Sequence, residues 1–354
     1  MKVGIVAPPF IPVPPRKYGG TELFIAQLTS MLMRMGHDVI VYANGESTVS
    51  AEVRWIFPTT EWPVDPASAV VKNLTHVAWA VRDAAAACDI VHLNDALGVF
   101  FSEFIGPPVV HTLHHPHEPQ LSDIYQRYPE VHYVTISRFQ QQQEHMARLR
   151  TIHHGIPLDK YEFRDRKQPY LCFLGRIAPV KGPHLAIDVA KRTGLPLRMA
   201  GEIQPMFRGY WETAVRPQVD GRHIEYVGEA DHDLKCELLS NAMALLFPIQ
   251  WDEPFGLVMI EAMACGTPVL ALSGGSVEEV VKPGVSGWIC RDVDEMAARA
   301  LALAIPAATC RQFVSERFSA ESMAANYAAL YHDALDGAPS AEGDESSTLP
   351  MSRS

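Results

Sequence analysis

The stretch Glu253-Pro-Phe-Gly-Leu-Val-Met-Ile-Glu-Ala-Met-Ala-Cys-Gly-Thr-Pro268 is the most informative part of this sequence. Its apolar centre predicts a helix, in which Glu261 follows Glu253 after eight residues, or about two helical turns. We therefore expect Glu253 at the mouth of a site and Glu261 deeper, among apolar neighbours. A buried carboxylate needs a hydrogen-bonding partner. Either sugar hydroxyls or a structural salt bridge would serve at Glu261.

On both sides of this stretch, short apolar runs alternate with longer amphipathic segments. Runs rich in Val and Ile between helices predict parallel sheets that are covered by helices on both faces. We expect early helices at 21–35 and 67–86. The predicted strands are 2–7, 38–42, 90–93, 109–112, 132–135, 170–174, 197–200, 223–227, 244–247 and 268–271.

The alternation is interrupted once, at the polar and charge-dense stretch 155–168, which we interpret as a linker. The sequence therefore predicts two doubly wound domains, 1–164 and 165–310, that face each other across a crevice. Ligands of such sheets bind beyond the carboxyl ends of the strands. A closing helix over 311–335 and a disordered tail over 336–354 are expected to complete the chain.

Composition excludes several classes of protein. The 30 Lys and Arg residues against 41 Asp and Glu give a net charge of −11, which argues against a nucleic-acid partner. There is no apolar run of membrane-spanning length, and the first prolines come too early for a signal peptide. The six cysteines are widely spaced and contain no C-x-x-C pair, which favours reduced thiols in a cytoplasmic protein.

Two turns could hold an anion. Gly19-Gly20 lies between the first strand and a helix, where glycines let a phosphate approach the backbone and the helix start attracts it. The alternative is a plain capped loop. After the first strand of the second half, Arg176 and Lys181 flank a short turn. They suit a diphosphate, unless they are simply two solvated cations.

A histidine cluster at 111–117 follows a predicted strand. It could be interpreted as a metal site, but only Glu118 is an acidic neighbour and the spacing is not that of a zinc-binding helix. The pattern favours a strand-end histidine that faces the crevice as a polar or proton-sharing group near a substrate. Asp231-His232-Asp233 has the letters of a D-x-D metal motif but is interpreted as a helix start, so no metal ligand is predicted.

Taken together, these stretches resemble the family 4 retaining glycosyltransferases, whose signature is E-x7-E and whose fold is GT-B. The resemblance extends over residues 1–335. One departure is Glu278, which stands where the family usually has proline. The further elements, in the family's order, are the glycine turn Gly19-Gly20, Thr112-Leu113-His114 for T-x-H, Gly175-Arg176 with Lys181-Gly182 for G-R…K-G, and 275–281 for G-x-x-P-E-V-V with Glu279 on the family's glutamate.

The resemblance implies a nucleotide-sugar site in the second domain and a closing helix that crosses back onto the first. It implies no cofactor besides the donor co-substrate and no metal. The implied roles are diphosphate binding for Arg176 and Lys181, ribose binding for Glu261, sugar recognition for Glu253 with the amides of Phe255, Gly256 and Leu257, a contact near the reacting carbon for His114, closure on the phosphates for Gly19 and Gly20, and donor binding for Glu279.

The function so implied is retaining transfer of a hexosyl unit to a hydroxyl acceptor, with UDP-glucose as the default donor. A GDP-mannose-dependent mannosyltransferase and a non-catalytic sugar-nucleotide-binding protein are the alternatives. A second enzyme alternative is a glycosyl phosphorylase or a sugar-nucleotide epimerase on the same fold, of which the phosphorylase is disfavoured because no lysine stands out as a pyridoxal phosphate anchor. The acceptor is a sugar, a lipid-linked sugar or a small metabolite. Membrane contact would use a basic amphipathic helix of the first domain, which segment 140–150 matches only weakly because its Arg148 and Arg150 follow a glutamine run. A soluble acceptor is therefore favoured.

Overall fold

The computed structural model describes residues 1–17 and 19–337, apart from the side chain of residue 66. The described part forms two parallel α/β sheets of seven and six strands. Except for its first two residues, the predicted tail at 336–354 lies outside the described residues.

The first sheet has the strand order β3-β2-β1-β4-β5-β6-β7, and every neighbouring pair is parallel. Its strands are β1 (Lys2–Val6), β2 (Asp38–Tyr42), β3 (Glu52–Arg54), β4 (Ile90–Leu93), β5 (Val109–Leu113), β6 (His132–Thr135) and β7 (Leu149–Thr151). The accompanying helices are α1 (Gly20–Arg34), α2 (Pro66–Ala87), α3 (Pro119–Tyr125) and α4 (Arg138–Gln141), with a 3-10 segment at Ala96–Phe104.

The second sheet has the order β10-β9-β8-β11-β12-β13 and is also parallel throughout. Its strands are β8 (Leu171–Leu174), β9 (Leu197–Ala200), β10 (Ile224–Tyr226), β11 (Ala244–Phe247), β12 (Val269–Leu272) and β13 (Gly287–Cys290). The helices are α5 (Pro183–Thr193), α6 (Arg208–Tyr210), α7 (His232–Asn241), α8 (Leu257–Ala264), α9 (Val277–Val280), α10 (Val293–Leu301), α11 (Ala307–Arg317) and α12 (Ala320–Leu335).

Both sheets reverse their winding direction beside a central strand. The chain moves outward from β1 to β3 and returns to β4, and it repeats this pattern from β8 to β10 and back to β11. Such a switch point leaves a crevice at the carboxyl ends of the central strands. The turns after β1, β8 and β11 are therefore brought to the crevice by topology, which confirms the predicted pair of doubly wound sheets.

The last helix crosses back onto the first domain, as predicted. In α12, the Tyr327 hydroxyl hydrogen-bonds Thr112 Oγ1 at 3.0 Å, and the Tyr331 hydroxyl reaches His92 Nδ1 at 2.7 Å. All four side chains are buried. These contacts join α12 to strands β4 and β5 of the first sheet.

The segment 311–335 is divided between two helices, whereas the sequence predicted one. Phe318 ends α11, and Ser319 begins α12 by accepting a hydrogen bond from the Ser322 amide at 3.2 Å. Packing explains the break, because α11 lies on α8 of the second domain while α12 lies on α1 of the first.

The segment 140–150 is not the amphipathic helix that membrane contact required. Helix α4 ends at residue 141, and 149–151 is strand β7. Arg148 pairs with Glu130, and Arg150 pairs with Asp333 of α12. Both arginines therefore have partners within the protein. Across the described residues, no helix combines the length and apolar character that crossing a bilayer requires.

The six cysteines are Cys88, Cys172, Cys236, Cys265, Cys290 and Cys310. All six belong to the described part of the chain, are buried and are not joined in disulfides. Each one is a small side chain of the core.

Candidate active site

A cleft of about 360 Å³ lies between the carboxyl ends of the two sheets. Both domains contribute to its wall. Ten of the eleven predicted site residues line it, namely Gly19, Gly20 and His114 from the first domain and Arg176, Lys181, Glu253, Phe255, Gly256, Leu257 and Glu261 from the second.

The glycine turn of the first domain is sterically restricted. Gly19 has a φ of 149°, and a Cβ there would lie 2.7 Å from Cβ of Pro15. A Cβ at Gly20, the first residue of α1, would lie 3.8 Å from Cδ1 of Leu257 in the second domain. The turn therefore brings the backbone of one domain close to the other.

Glu253 and Lys181 form an ion pair that we call the mouth pair. Lys181 Nζ donates to Oε2 of Glu253, and Trp251 Nε1 donates to the same oxygen at 2.8 Å. Lys181 Nζ also lies 4.7 Å from the centre of the Trp251 ring, within the range of a cation–π contact. The side chains of Lys181 and Glu253 are 15% and 9% exposed, so the pair is mostly shielded from water.

Glu261 and Lys235 form a second ion pair, the deep pair. Lys235 Nζ donates to Oε1 of Glu261, and the Tyr161 hydroxyl donates to the same oxygen at 2.9 Å. Burial and the neighbouring Glu261 charge hold the pKa of Tyr161 well above its ordinary value, so its hydroxyl stays protonated and donates. Of the two partners expected for Glu261, the structure contains the salt bridge.

Arg176 follows β8 and belongs to a hydrogen-bonded chain. Its guanidinium lies 3.4 Å from Oε1 of Gln204, whose amide donates to Glu202 at 3.0 Å. Glu202 also accepts a hydrogen bond from Trp62 Nε1 at 2.7 Å. Since Trp62 belongs to the first domain, these hydrogen bonds connect the two domains beside Arg176, which is predicted to bind the diphosphate.

The start of α8 forms part of the wall between the two glutamates. Gly256 has a φ of 79°, and a Cβ there would lie 2.7 Å from Met259 Cε. Glycine therefore permits the abrupt start of the eight-residue helix. The first amides of a helix lack intrahelical acceptors and carry positive partial charge. Phe255 adds a buried ring that packs edge-on against His154 at 5.1 Å.

Two stacked histidines face this helix from the first domain. The rings of His114 and His154 lie 5.6 Å apart and are nearly parallel, at 11°. His114 Nε2 is 2.9 Å from Oδ1 of Asn94. Burial lowers the pKa of His114 well below its ordinary value and that of His154 to about 3. Both rings are therefore neutral near pH 7 and act through hydrogen bonds and shape.

The other histidines of the cluster have separate partners. His115 Nε2 is 2.9 Å from the Tyr125 hydroxyl, and His117 Nδ1 is 3.0 Å from Oε1 of the buried Glu144. Within residues 1–17 and 19–337, no three His, Cys, Asp or Glu side chains are grouped to hold a metal ion. Asp231 begins α7, as predicted, by accepting a hydrogen bond from the Leu234 amide at 2.9 Å.

Glu279 is the predicted site residue that the structure does not bring into the cleft wall. Its carboxylate accepts hydrogen bonds from the amides of Arg138 at 2.9 Å and Phe139 at 3.2 Å, and it pairs with His153 at 2.8 Å. It thus joins α9 to α4 of the first domain, and its role in donor binding stays a prediction. Glu278 accepts a hydrogen bond from Ser273, and α9 forms without the usual proline.

The sequence analysis missed four residues of the site. Lys235, Trp251 and His154 line the cleft, and Tyr161 supports Glu261 from behind. Trp251 could have been found, since it stands two residues before Glu253. Lys235 and Tyr161 lie in segments that we interpreted as a helix and a linker, and His154 directly precedes that linker. Nothing in the sequence distinguishes these three residues from core or surface residues.

The two facing parallel sheets, with a cleft between their carboxyl ends and a last helix that contacts the first domain, define a two-domain protein of the GT-B fold. The profile described as Glycosyltransferase Family 4 matches residues 18–160, and that of Glycosyl transferases group 1 matches residues 158–313. The chain therefore belongs to the family 4 glycosyltransferases, a retaining family that uses nucleotide-sugar donors.

Two relatives differ in how much of the chain they match. A glycogen synthase of Mycobacterium tuberculosis is 27% identical over 345 aligned residues, which include 80% of this chain and 82% of that protein. A D-inositol 3-phosphate glycosyltransferase of Mycobacterium marinum is 31% identical over 174 residues, or 43% of this chain. This chain spans only 36% of the latter protein's length.

Solved structures share the fold at low sequence identity. A sucrose-phosphate synthase from Thermosynechococcus elongatus superposes with a TM-score of 0.80 at 20% identity, over 95% of this chain and all of the other. Anabaena HepE in complex with UDP-glucose superposes with a TM-score of 0.73 at 18% sequence identity, over 94% of this chain and 100% of the other. AviGT4, a glycosyltransferase involved in avilamycin A biosynthesis, superposes with a TM-score of 0.71 at 24% sequence identity, over 95% of this chain and 98% of the other.

Proposed function

We propose that this protein transfers a hexosyl unit from a nucleoside-diphosphate sugar to a hydroxyl acceptor with retention of configuration. One observation carries the proposal: a single cleft brings the cations Arg176 and Lys181 together with Glu253, Glu261 and His114. UDP-glucose is our default donor, and the UDP-glucose complex of the similarly folded HepE supports this choice.

Arg176 and Lys181 would hold the diphosphate of the donor beside the start of α8. Guanidinium and ammonium groups bind phosphate oxygens with charge-assisted hydrogen bonds, and the free amides of a helix start add to the positive potential. The same groups would stabilise the negative charge that grows on the leaving diphosphate. Electrostatic stabilisation of this kind is usually the largest contribution to catalysis.

The transfer itself would need little covalent help from the protein. The acceptor hydroxyl attacks the anomeric carbon on the face from which the diphosphate departs. The bond from that carbon to the phosphate oxygen breaks, and its electron pair stays on the diphosphate, which takes the acceptor's proton. The neutral His114 would contact the sugar near the reacting carbon. A glycosidase-type pair of catalytic carboxylates is not required.

A screen of thermal stability tests the proposal directly. A ligand that binds only the native state raises the melting temperature. We expect UDP and UDP-glucose to stabilise the protein, and UDP-glucose to be turned over when acceptor sugars are added. If only GDP and GDP-mannose stabilised the protein, the donor would be GDP-mannose and not UDP-glucose. Stabilisation without turnover of any donor would favour a non-catalytic binding protein, and no response to any nucleotide would overturn the proposal.

We also propose that the reaction needs no metal ion and that the protein works in the cytoplasm. Arg176 and Lys181 support the absence of a metal requirement, because they can supply the positive charge that a divalent cation would otherwise bring to the diphosphate. A large loss of transfer activity after treatment with EDTA would contradict it. The six buried thiols support the second point, since free cysteines are typical of a reducing compartment.

A further inference from the structure

We propose that Lys235, with Tyr161, positions Glu261 for binding the ribose of the nucleotide donor. The inference rests on the proposed function and adds a lysine that the sequence motifs do not contain. Lys235 itself lines the cleft, so the pair lies at the surface that a nucleotide would contact.

The first argument concerns which oxygen of Glu261 has partners. The side chain of Glu261 is only 4% exposed. Within the described residues, its hydrogen bonds come from Lys235 and Tyr161, and both reach Oε1. Oε2 is therefore left to accept hydrogen bonds from a ligand. A vicinal pair of hydroxyls, such as the ribose diol, offers the donors that a carboxylate oxygen requires.

The second argument concerns the charge of Glu261. Burying a charged carboxylate is costly unless a cation is paired with it. Lys235 supplies this cation. Hydrogen bonds to a charged acceptor are stronger than those between neutral groups. Lys235 therefore compensates the buried charge of Glu261, while Tyr161 fixes the orientation of the carboxylate.

The third argument is that the three side chains are held as one unit. Lys235 lies in the first turn of α7, whose start is fixed by the Asp231 cap. In the same turn, His232 hydrogen-bonds the Lys160 carbonyl at 2.8 Å, next to Tyr161 in the chain. The turn that carries Lys235 is thereby attached to the segment that carries Tyr161, and both converge on one atom of α8.

Binding of UDP and 2′,3′-dideoxy-UDP to the Lys235→Met variant tests the proposal by calorimetry. We expect the variant to bind UDP about tenfold more weakly, which corresponds to one charge-assisted hydrogen bond, and dideoxy-UDP almost as well as the wild type. Lys235→Arg should recover most of the loss, because it restores the cation. The matched control is Lys191→Met, since Lys191 is an exposed lysine of α5 bonded to Gln218.

The outcomes separate this inference from the proposed function. If Lys235→Met lost affinity for UDP and for dideoxy-UDP by the same factor, the inference would be overturned, because Lys235 would then act on the phosphates or on the fold. An unchanged affinity for UDP would overturn it as well, and both results would leave the proposed function standing. If the wild type bound neither UDP nor GDP, the proposed function would fail and the inference with it. Should Lys235→Met not fold, Tyr161→Phe allows the same comparison of nucleotides.

Discussion

The mouth pair and the deep pair are two versions of one arrangement. Each combines a glutamate of the E-x7-E stretch with a lysine from another element and a ring that donates a second hydrogen bond to the same oxygen. They differ in what the lysine is expected to do. Lys181 is predicted to bind the donor's diphosphate, whereas Lys235 has no predicted ligand of its own.

This difference implies that the two pairs behave differently when a donor arrives. If Lys181 binds the diphosphate as proposed, it has to share its charge between Glu253 and the incoming phosphates, which would rearrange or weaken the mouth pair. The deep pair can persist, since Glu261 retains a free oxygen for the ligand. Removing one member of a buried ion pair leaves the other charge uncompensated. A bound donor would bring phosphates as new partners for Lys181 in the mouth pair. It would bring no cation to replace Lys235 beside Glu261 in the deep pair.

The largest effect is expected from Lys181→Ala. Loss of one preorganised cation at the leaving diphosphate should lower kcat by roughly 100-fold to 1000-fold and weaken UDP binding as well. Transfer kinetics and calorimetry with UDP measure both effects. The control is Lys191→Met, which lies outside the cleft. Unchanged UDP binding would remove the diphosphate role of Lys181 and make the mouth pair purely structural.

The next largest effect is expected from Glu253→Ala, which breaks the mouth pair from the other side. Because Glu253 is proposed to bind the transferred sugar, its loss should weaken binding of the intact donor, UDP-glucose, roughly tenfold to a hundredfold. Free UDP should bind at least as well as to the wild type, because Lys181 no longer has a competing carboxylate. Parallel titrations with UDP and UDP-glucose give the comparison. If Glu253→Ala lowered the affinities for UDP and for UDP-glucose by the same factor, Glu253 would not be the residue that recognises the transferred sugar.

Most of the fold could be predicted because buried parallel strands are continuous apolar runs. The predicted strand at 90–93 matches β4, and 244–247 matches β11, residue for residue. Three strands were missed. β3 and β7 are three-residue strands at the two edges of the first sheet, and β13 begins with glycine at an edge of the second. Short edge strands form through pairing with a neighbour, which no local pattern reveals.

The site could be predicted only where one motif contains the residues that meet. Glu253, Gly256 and Glu261 share one stretch of chain, so helical spacing fixes their relation. Lys235 lies 26 residues before Glu261 and Tyr161 lies 100 before it, and only the packing of α7 and the linker segment against α8 brings them together. The position of Glu279 between the domains likewise depends on how the two sheets face each other.

A smaller effect is expected from Trp251→Phe, which removes one hydrogen bond from the mouth pair and keeps a ring under Lys181. We expect UDP-glucose to bind about fivefold more weakly, corresponding to about 1 kcal/mol, with free UDP unaffected. Titrations with both ligands measure this selectivity. If Trp251→Phe lowered the affinity for free UDP alone, Trp251 would act through Lys181 and not through Glu253.

The smallest effect is expected from Tyr161→Phe, the matching change in the deep pair. Lys235 still compensates the charge of Glu261, so the variant loses one hydrogen bond and UDP should bind about threefold more weakly, at a cost below about 1 kcal/mol. Unlike Trp251→Phe, it should weaken UDP and UDP-glucose by the same factor, because both contain the ribose. A variant that lost affinity only for UDP-glucose would place Glu261 at the sugar and remove the distinction between the two pairs. Measuring both aromatic variants with both ligands therefore tests whether the two glutamates read different parts of the donor.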